Sequence, residues 1–247
     1  MIFEMNVALI FAGGVGSRMK GKNRPKQFLE LNGKPIIIHT IEHFDEHPEI
    51  DGIIVVCIDG WIEFLQEKLK KFNIKKVIKI IPGGNTGQES IRNGLFALRD
   101  YLENIENTVV LIHDGVRPLI DAKLISDNIE CVKKNGNAIT VVPAVETIIE
   151  TDNFGNIIKV ADRSHCKMAR APQSFYLKDI LYAHEQSQKD NLEEMIDSAM
   201  LMQHYGAVLH TVLGPVENIK ITTPMDYHIF RALVMARENE QFGEGDL

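Results

Sequence analysis

FAGGVGSRMKGKNRPKQF, residues 11–28, places four glycines and five basic residues in eighteen positions, directly after the apolar run Val7–Phe11. The chain as a whole carries a formal net charge of −7, so this local concentration of positive charge needs a cause. The segment is too polar and too rich in glycine to form a core. An anionic ligand accounts for both features, because Gly13, Gly14 and Gly16 let backbone N–H groups approach phosphate oxygens where a Cβ would block contact.

Working outward from that loop, apolar β-branched runs alternate with amphipathic stretches. Strands are predicted at Val7–Phe11, Ile53–Ile58, Val77–Ile81, Val109–His113 and Ile139–Val142. Most are continuously apolar, as strands buried on both faces are. Helices are predicted between them at Pro35–Glu46, Ile62–Phe72, Gly87–Tyr101 and Asp121–Asn135, the last closed by Gly136. This order implies an α/β fold with a doubly wound, mostly parallel sheet. The pattern then changes. Thr147–Ile149 and Ile157–Ala161 flank a polar, glycine-containing loop and predict a β-hairpin projecting from the body. Helices at Leu177–Gln188 and Asp197–Tyr205, a strand at Ala207–Val212 and a helix from Pro224 complete one domain, with a polar, fraying end at Gln241–Leu247. The 247 residues fit a single α/β unit, with a hairpin arm at about 143–170.

Composition excludes several classes. The acidic balance argues against a nucleic-acid binder that relies on general positive charge. The first residues lack a basic n-region and Glu4 interrupts their apolar run, so a strand is expected there and neither a signal peptide nor a membrane span. Cys57, Cys131 and Cys166 are far apart and in no metal-ligand spacing, and are read as reduced thiols of a cytoplasmic protein. His39, His43 and His47 recur at i, i+4, i+8, a spacing that can bind metal. The apolar residues of the same helix make the solvent flank the expected place for them.

Three phosphate-binding patterns compete for the first loop. A dinucleotide fingerprint needs a third glycine where Met19 stands. A P-loop needs a hydroxyl where Asn23 stands. The third pattern fits throughout: a strand ending in Ala-Gly-Gly-x-Gly-x-Arg-Met, followed by Pro25-Lys26, resembles the signature loop of the sugar-phosphate nucleotidyltransferases. Further motifs narrow the resemblance. They are Pro25-Lys26-Gln27-Phe28-Leu29, Gly33-Lys34-Pro35-Ile36, Gly83-Gly84-Asn85-Thr86-Gly87-Gln88-Glu89-Ser90, and His113-Asp114-Gly115-Val116-Arg117-Pro118. Together they resemble the cytidylyltransferases for polyol phosphates, over a span from Val7 to about Arg231.

That resemblance implies a nucleotide-diphospho-sugar transferase-like fold and transfer of a cytidylyl group from CTP to a polyol phosphate, with Mg²⁺. It implies catalytic roles at the α-phosphate for Arg18 and Lys26, and Pro25 biases Arg24 towards an extended backbone that aims Lys26 across the loop. Phe11, Ala12, Gly13, Gly14, Gly16, Gly83, Gly84 and Ser90 would bind the nucleotide. Thr86-x-x-Glu89 also reads as a capping box, which by itself explains a helix start. Asp114, at the carboxyl end of a predicted parallel strand where such sheets place their ligand crevice, would help hold Mg²⁺. Arg117, Thr147, Arg163 and Lys220, with Asp162 beside them, form the acceptor group. In this family the hairpin crosses to a second subunit, so a homodimer is expected in which Thr147 and Arg163 serve the neighbour's site.

Departures from the methylerythritol phosphate pattern decide the expected acceptor. Gly13-Gly14, Gly115-Val116, Cys166-Lys167 and Ala171-Pro172-Gln173 stand where that branch usually has Ala-Gly, Ala-Ala, Leu-Trp and Thr-Pro-Gln. A cation in place of an aromatic residue suits a linear polyol, because hydroxyls buried without partners are penalised. Ribitol 5-phosphate is the expected acceptor. A nucleotide-binding regulatory domain without turnover is the rival, and the presence of residues for both sides of the reaction centre argues against it.

Overall fold

The computed structural model describes residues 4–13, 24–192 and 195–243. In chain order, β1 (Met5–Ala12) is followed by a 3₁₀ turn at Lys26–Phe28, the short pair β2 (Glu30–Leu31) and β3 (Lys34–Pro35), and α1 (Ile36–Asp45). Then come β4 (Gly52–Cys57), α2 (Ile62–Lys71), β5 (Val77–Pro82), α3 (Gly87–Arg99), β6 (Thr108–Asp114), α4 (Ala122–Asn135) and β7 (Asn137–Pro143). The hairpin β8 (Ile149–Thr151) and β9 (Ile157–Val160) precedes a 3₁₀ turn at Arg163–His165 and the long strand β10 (Lys167–Tyr176). α5 (Leu177–Lys189), α6 (Ser198–His204), β11 (Thr211–Leu213) and α7 (Pro224–Gly243) close the fold.

The central sheet has the order β11-β7-β10-β6-β1-β4-β5. β10 runs antiparallel to both its neighbours and the other pairs are parallel. Alternate residues of the inner strands feed two cores. Ala8, Ile10, Ile53, Val55 and Leu111 pack with α1, α2 and α4, while Val7, Leu9, Ile54, Val56 and Val110 pack with α3, α5 and α6. Burial on both faces explains why these strands read as unbroken apolar runs. Caps set the helix limits: Thr86 accepts from Glu89 N–H at the start of α3, and Asp121 accepts from Leu124 N–H at the start of α4. Gly136 ends α4 at φ +89°, a conformation that favours glycine.

Three expectations need correction. β10 was not foreseen, and Lys167–Ala169, assigned above to the arm, pair with Pro143, Val142 and Val141 inside the sheet. The strand expected at Ala207–Val212 forms at Thr211–Leu213, because the Asn137 side chain bonds Val208 O and His210 N where a ladder would run. His39, His43 and His47 are not a solvent flank, and His47 lies past the end of α1. Ring nitrogens of His39, His43 and His47 lie 3.4, 3.0 and 3.1 Å from the carbonyls of Leu31, Pro118 and Ala122. Burial lowers the pKa of His39 to about 4 and also lowers that of His43. His43 and His47 tie α1 and the turn that follows it to the segment after β6, and His39 faces β2. No helix among the described residues is long and apolar enough to cross a membrane.

Candidate active site

Two glycine loops meet at the carboxyl ends of β1 and β5. A Cβ on Gly13 would lie 2.7 Å from Ser90 Oγ and 3.2 Å from Gly83 Cα, so these backbones touch as only glycines allow. Ser90 is buried, and its hydroxyl accepts from Gly84 N–H at 3.0 Å. Glu89 reaches back to Asn85 N–H at 2.7 Å, which completes a capping-box-like clasp around the turn. Ser90 therefore holds the turn, and the Gly83 N–H is likewise committed, to Cys57 O at 2.7 Å. Gly13→Ala is expected to destabilise the fold by about 1–3 kcal/mol through overpacking. Thermal melts check this, and adding Ser90→Ala should recover part of the loss, since the two sites are in contact.

Gly14, Gly16 and Arg18 lie outside the described residues. Phe11 and Ala12 are the last residues of β1, and Phe11 is in register with Asp114. Lys26 opens the 3₁₀ turn just after the glycine loop. Its neighbours fix that turn: Gln27 Nε2 donates to Ala12 O at 2.6 Å, and Phe28 is buried, stacked on Trp61 with centroids 4.8 Å apart. Gln27 was missed as a positioning residue, although it stands in the quoted loop.

Asp114 ends β6 and is almost fully buried. Its Oδ1 lies 2.6 Å from Lys220 Nζ and its Oδ2 lies 2.7 Å from Arg117 Nε. Burial opposes ionisation, but Lys220 and Arg117 outweigh it and hold the carboxyl at about 2. Arg117 also donates from a terminal nitrogen to Asn218 O at 3.0 Å, and Asn218 Nδ2 donates to Ala171 O at 2.7 Å. Asn218, also missed, thus joins the acceptor cations to β10. Phe11, Asp114, Arg117, Arg170 and Lys220 line one cavity of about 280 Å³, walled further by Gln88, Gln173 and His184.

The Asp114 carboxylate, expected to help hold Mg²⁺, faces two cations here. Both carboxylate oxygens are engaged by cations, and among the described residues no group of three or more His, Cys, Asp or Glu side chains could hold a metal ion. Thr147 and Arg163 are exposed on the arm and do not line the cavity. Arg163 donates to Val145 O at 2.8 Å, and Asp162 caps the short turn through Ser164 N–H at 3.0 Å.

The profile of a family described as IspD, 2-C-methyl-D-erythritol 4-phosphate cytidylyltransferase, matches residues 6–236. A protein of Vibrio parahaemolyticus named ribitol-5-phosphate cytidylyltransferase is 54% identical over 96% of this chain and 99% of its own length. A Streptococcus agalactiae protein of the same name is 48% identical over 96% and 98%. Among solved structures, a 4-diphosphocytidyl-2C-methyl-D-erythritol synthase from Anaerococcus prevotii is 25% identical with a TM-score of 0.80, covering 94% of this chain and 96% of that one. A Francisella tularensis 2-C-methyl-D-erythritol 4-phosphate cytidylyltransferase is 26% identical with a TM-score of 0.75, covering 92% and 100%. Glycine loops and a charged crevice at the carboxyl ends of β1, β5 and β6 agree with these likenesses, and the chain belongs to the IspD family of cytidylyltransferases, a nucleotidyltransferase family.

Proposed function

We propose that the protein joins CTP and ribitol 5-phosphate to give CDP-ribitol and pyrophosphate. The observation that carries the acceptor is the 54% identity, along nearly the whole chain, to a protein named for ribitol 5-phosphate. An oxygen of the acceptor phosphate attacks the α-phosphorus in line, and the bond from that phosphorus to the bridging oxygen of pyrophosphate breaks. The attacking oxygen is already ionised, so no protein nucleophile or base is needed. Catalysis is positioning and charge stabilisation. Backbone N–H groups of Gly13, Gly14 and Gly16 cradle the triphosphate, Gly83 and Gly84 let the second loop's backbone approach the nucleotide closely, and Arg18 and Lys26 meet charge that grows at the α-phosphate. Arg117 and Lys220 face the acceptor phosphate, with Asp114 fixing both. Asp114 would help hold a divalent cation such as Mg²⁺ together with the triphosphate, and the cation would polarise the phosphoryl oxygens.

The arm completes the reading. Ile149, Phe154, Ile157, Ile158 and Val160 are exposed on it, Phe154 at 91%. Such a patch suits burial against a second copy, with Thr147 and Arg163 delivered to the partner's acceptor site. Light scattering should find a homodimer. Mixing a Lys26→Ala protomer with an Arg163→Ala protomer should recover part of the lost activity, because one site of the heterodimer keeps both residues. A fully active monomer would overturn the arm's role. The thiols of Cys57, Cys131 and Cys166 are free, which favours a cytoplasmic setting. Pyrophosphate release from CTP with ribitol 5-phosphate against 2-C-methyl-D-erythritol 4-phosphate tests the acceptor. A higher kcat/KM for the second would assign the chain the activity for which the family profile is named.

A further inference from the structure

We propose that Arg170 is a specificity-determining residue that binds the phosphate of the acceptor from the β10 wall of the cavity. The inference rests on the cytidylyl-transfer reading above and adds a residue to it. β10 loses register with β7 between Ala169 and Gln173, and a break of this kind re-aims side chains next to active sites. Arg170 stands at that break and lines the cavity with Asp114, Arg117 and Lys220.

Among the described residues its guanidinium has no ion-pair partner. Nε is buried with no hydrogen-bond partner among the described residues. The two described carboxylates that line the cavity are committed elsewhere. Asp114 is taken by Lys220 and Arg117, and Asp197 accepts from Gln173 Nε2 at 2.9 Å and from Met200 N–H at 2.9 Å. Burial and the nearby positive charge of Arg117 both disfavour the charged form of Arg170. Arg117, Lys220 and Arg170 face Asp114 and Asp197 across the cavity, so its described lining carries a net positive charge. A phosphate group matches the sign of that charge, and a guanidinium fork can grip it through two parallel bonds. The Asn218 bridge from Ala171 O to Arg117 places this strand break beside the acceptor cations.

The test compares Arg170→Met and Arg170→Lys with the wild-type protein in steady-state kinetics and thermal melts. Met keeps the apolar stem and Lys keeps the charge without the fork. Arg170→Met should raise the KM for ribitol 5-phosphate by about tenfold or more, with the KM for CTP within about twofold. Arg170→Lys should fall between. Inhibition by inorganic phosphate, competitive with the acceptor, should weaken in parallel. Without ligands the melting temperature of Arg170→Met should stay level or rise, since an unpaired, repelled charge is removed. A structural role predicts a fall instead. An unchanged acceptor KM in both variants, or a CTP KM that rises as much as the acceptor KM, would overturn the proposal. If the wild-type protein prefers another polyol phosphate, the acceptor reading fails separately, and the Arg170 comparison is read with that acceptor.

Discussion

Replacing Lys26 with alanine is expected to lower kcat by about 100-fold or more while CTP binding weakens only a few-fold, because a donor aimed at developing transition-state charge contributes on the order of 3 kcal/mol there. The local build supports so specific a role. The turn carrying Lys26 is anchored on one side by Gln27 bonded to Ala12 O, at the last residue of β1, and on the other by Phe28 buried against Trp61. The ammonium therefore starts from a fixed base beside the glycine loop, and little ordering is left for the moment of reaction. Single-turnover rates and calorimetric CTP affinities separate the two effects. Equal losses in both would show that Lys26 only holds the ground-state nucleotide.

Asp114→Asn should cost about 3 kcal/mol of stability at neutral pH, since removing one member of a buried ion pair leaves the other uncompensated. The main contribution is Arg117, whose side chain is 9% exposed, whereas the Lys220 side chain is 41% exposed and can turn towards water. The pH dependence follows from the carboxyl, held at about 2 against an ordinary 3.8. A depressed folded-state value means that this contribution is fully present above about pH 4 and is lost as pH falls towards 2. Urea unfolding at pH 7, 4, 3 and 2.5 should show the gap between wild type and variant closing only in that acid window. A gap that stays constant down to pH 2.5 would show that the pair is not the cause. Activity should fall as well, because Arg117 and Lys220 lose the group that fixes them.

The parallel strands and their helices were legible because burial on both faces writes continuous apolar runs and the caps carry their own signals, as at Thr86, Asp121 and Gly136. β10 was illegible for an equally physical reason. Its first residues are largely exposed and only its second half is buried, so KMARAPQSFY shows neither alternation nor an apolar run. Pro172 argues against a central strand, since it cannot donate to a ladder. It is tolerated where the pairing with β7 is broken between Ala169 and Gln173. His39, His43 and His47 misled for a related reason. Helical spacing reports which residues share a face, and gives no sign that the carbonyls of Pro118 and Ala122 cover that face.

The site divides along the same line. Glycines, Lys26, Asp114, Arg117 and Lys220 were legible as motifs that resemble a known family. Gln27 and Asn218 act through bonds to backbone oxygens on other elements, and a linear reading cannot see those partners.

Pro143 and Lys167 face each other as the pair at the mouth of the arm. In topological terms everything between them is one long loop joining two adjacent antiparallel strands. A tight turn could close the same gap, so the arm is a replaceable cassette mounted between the second and third strands from the β11 edge of the sheet. Its length and contents can change while the strands that build the cavity keep their register, because that register is set by pairing outside it.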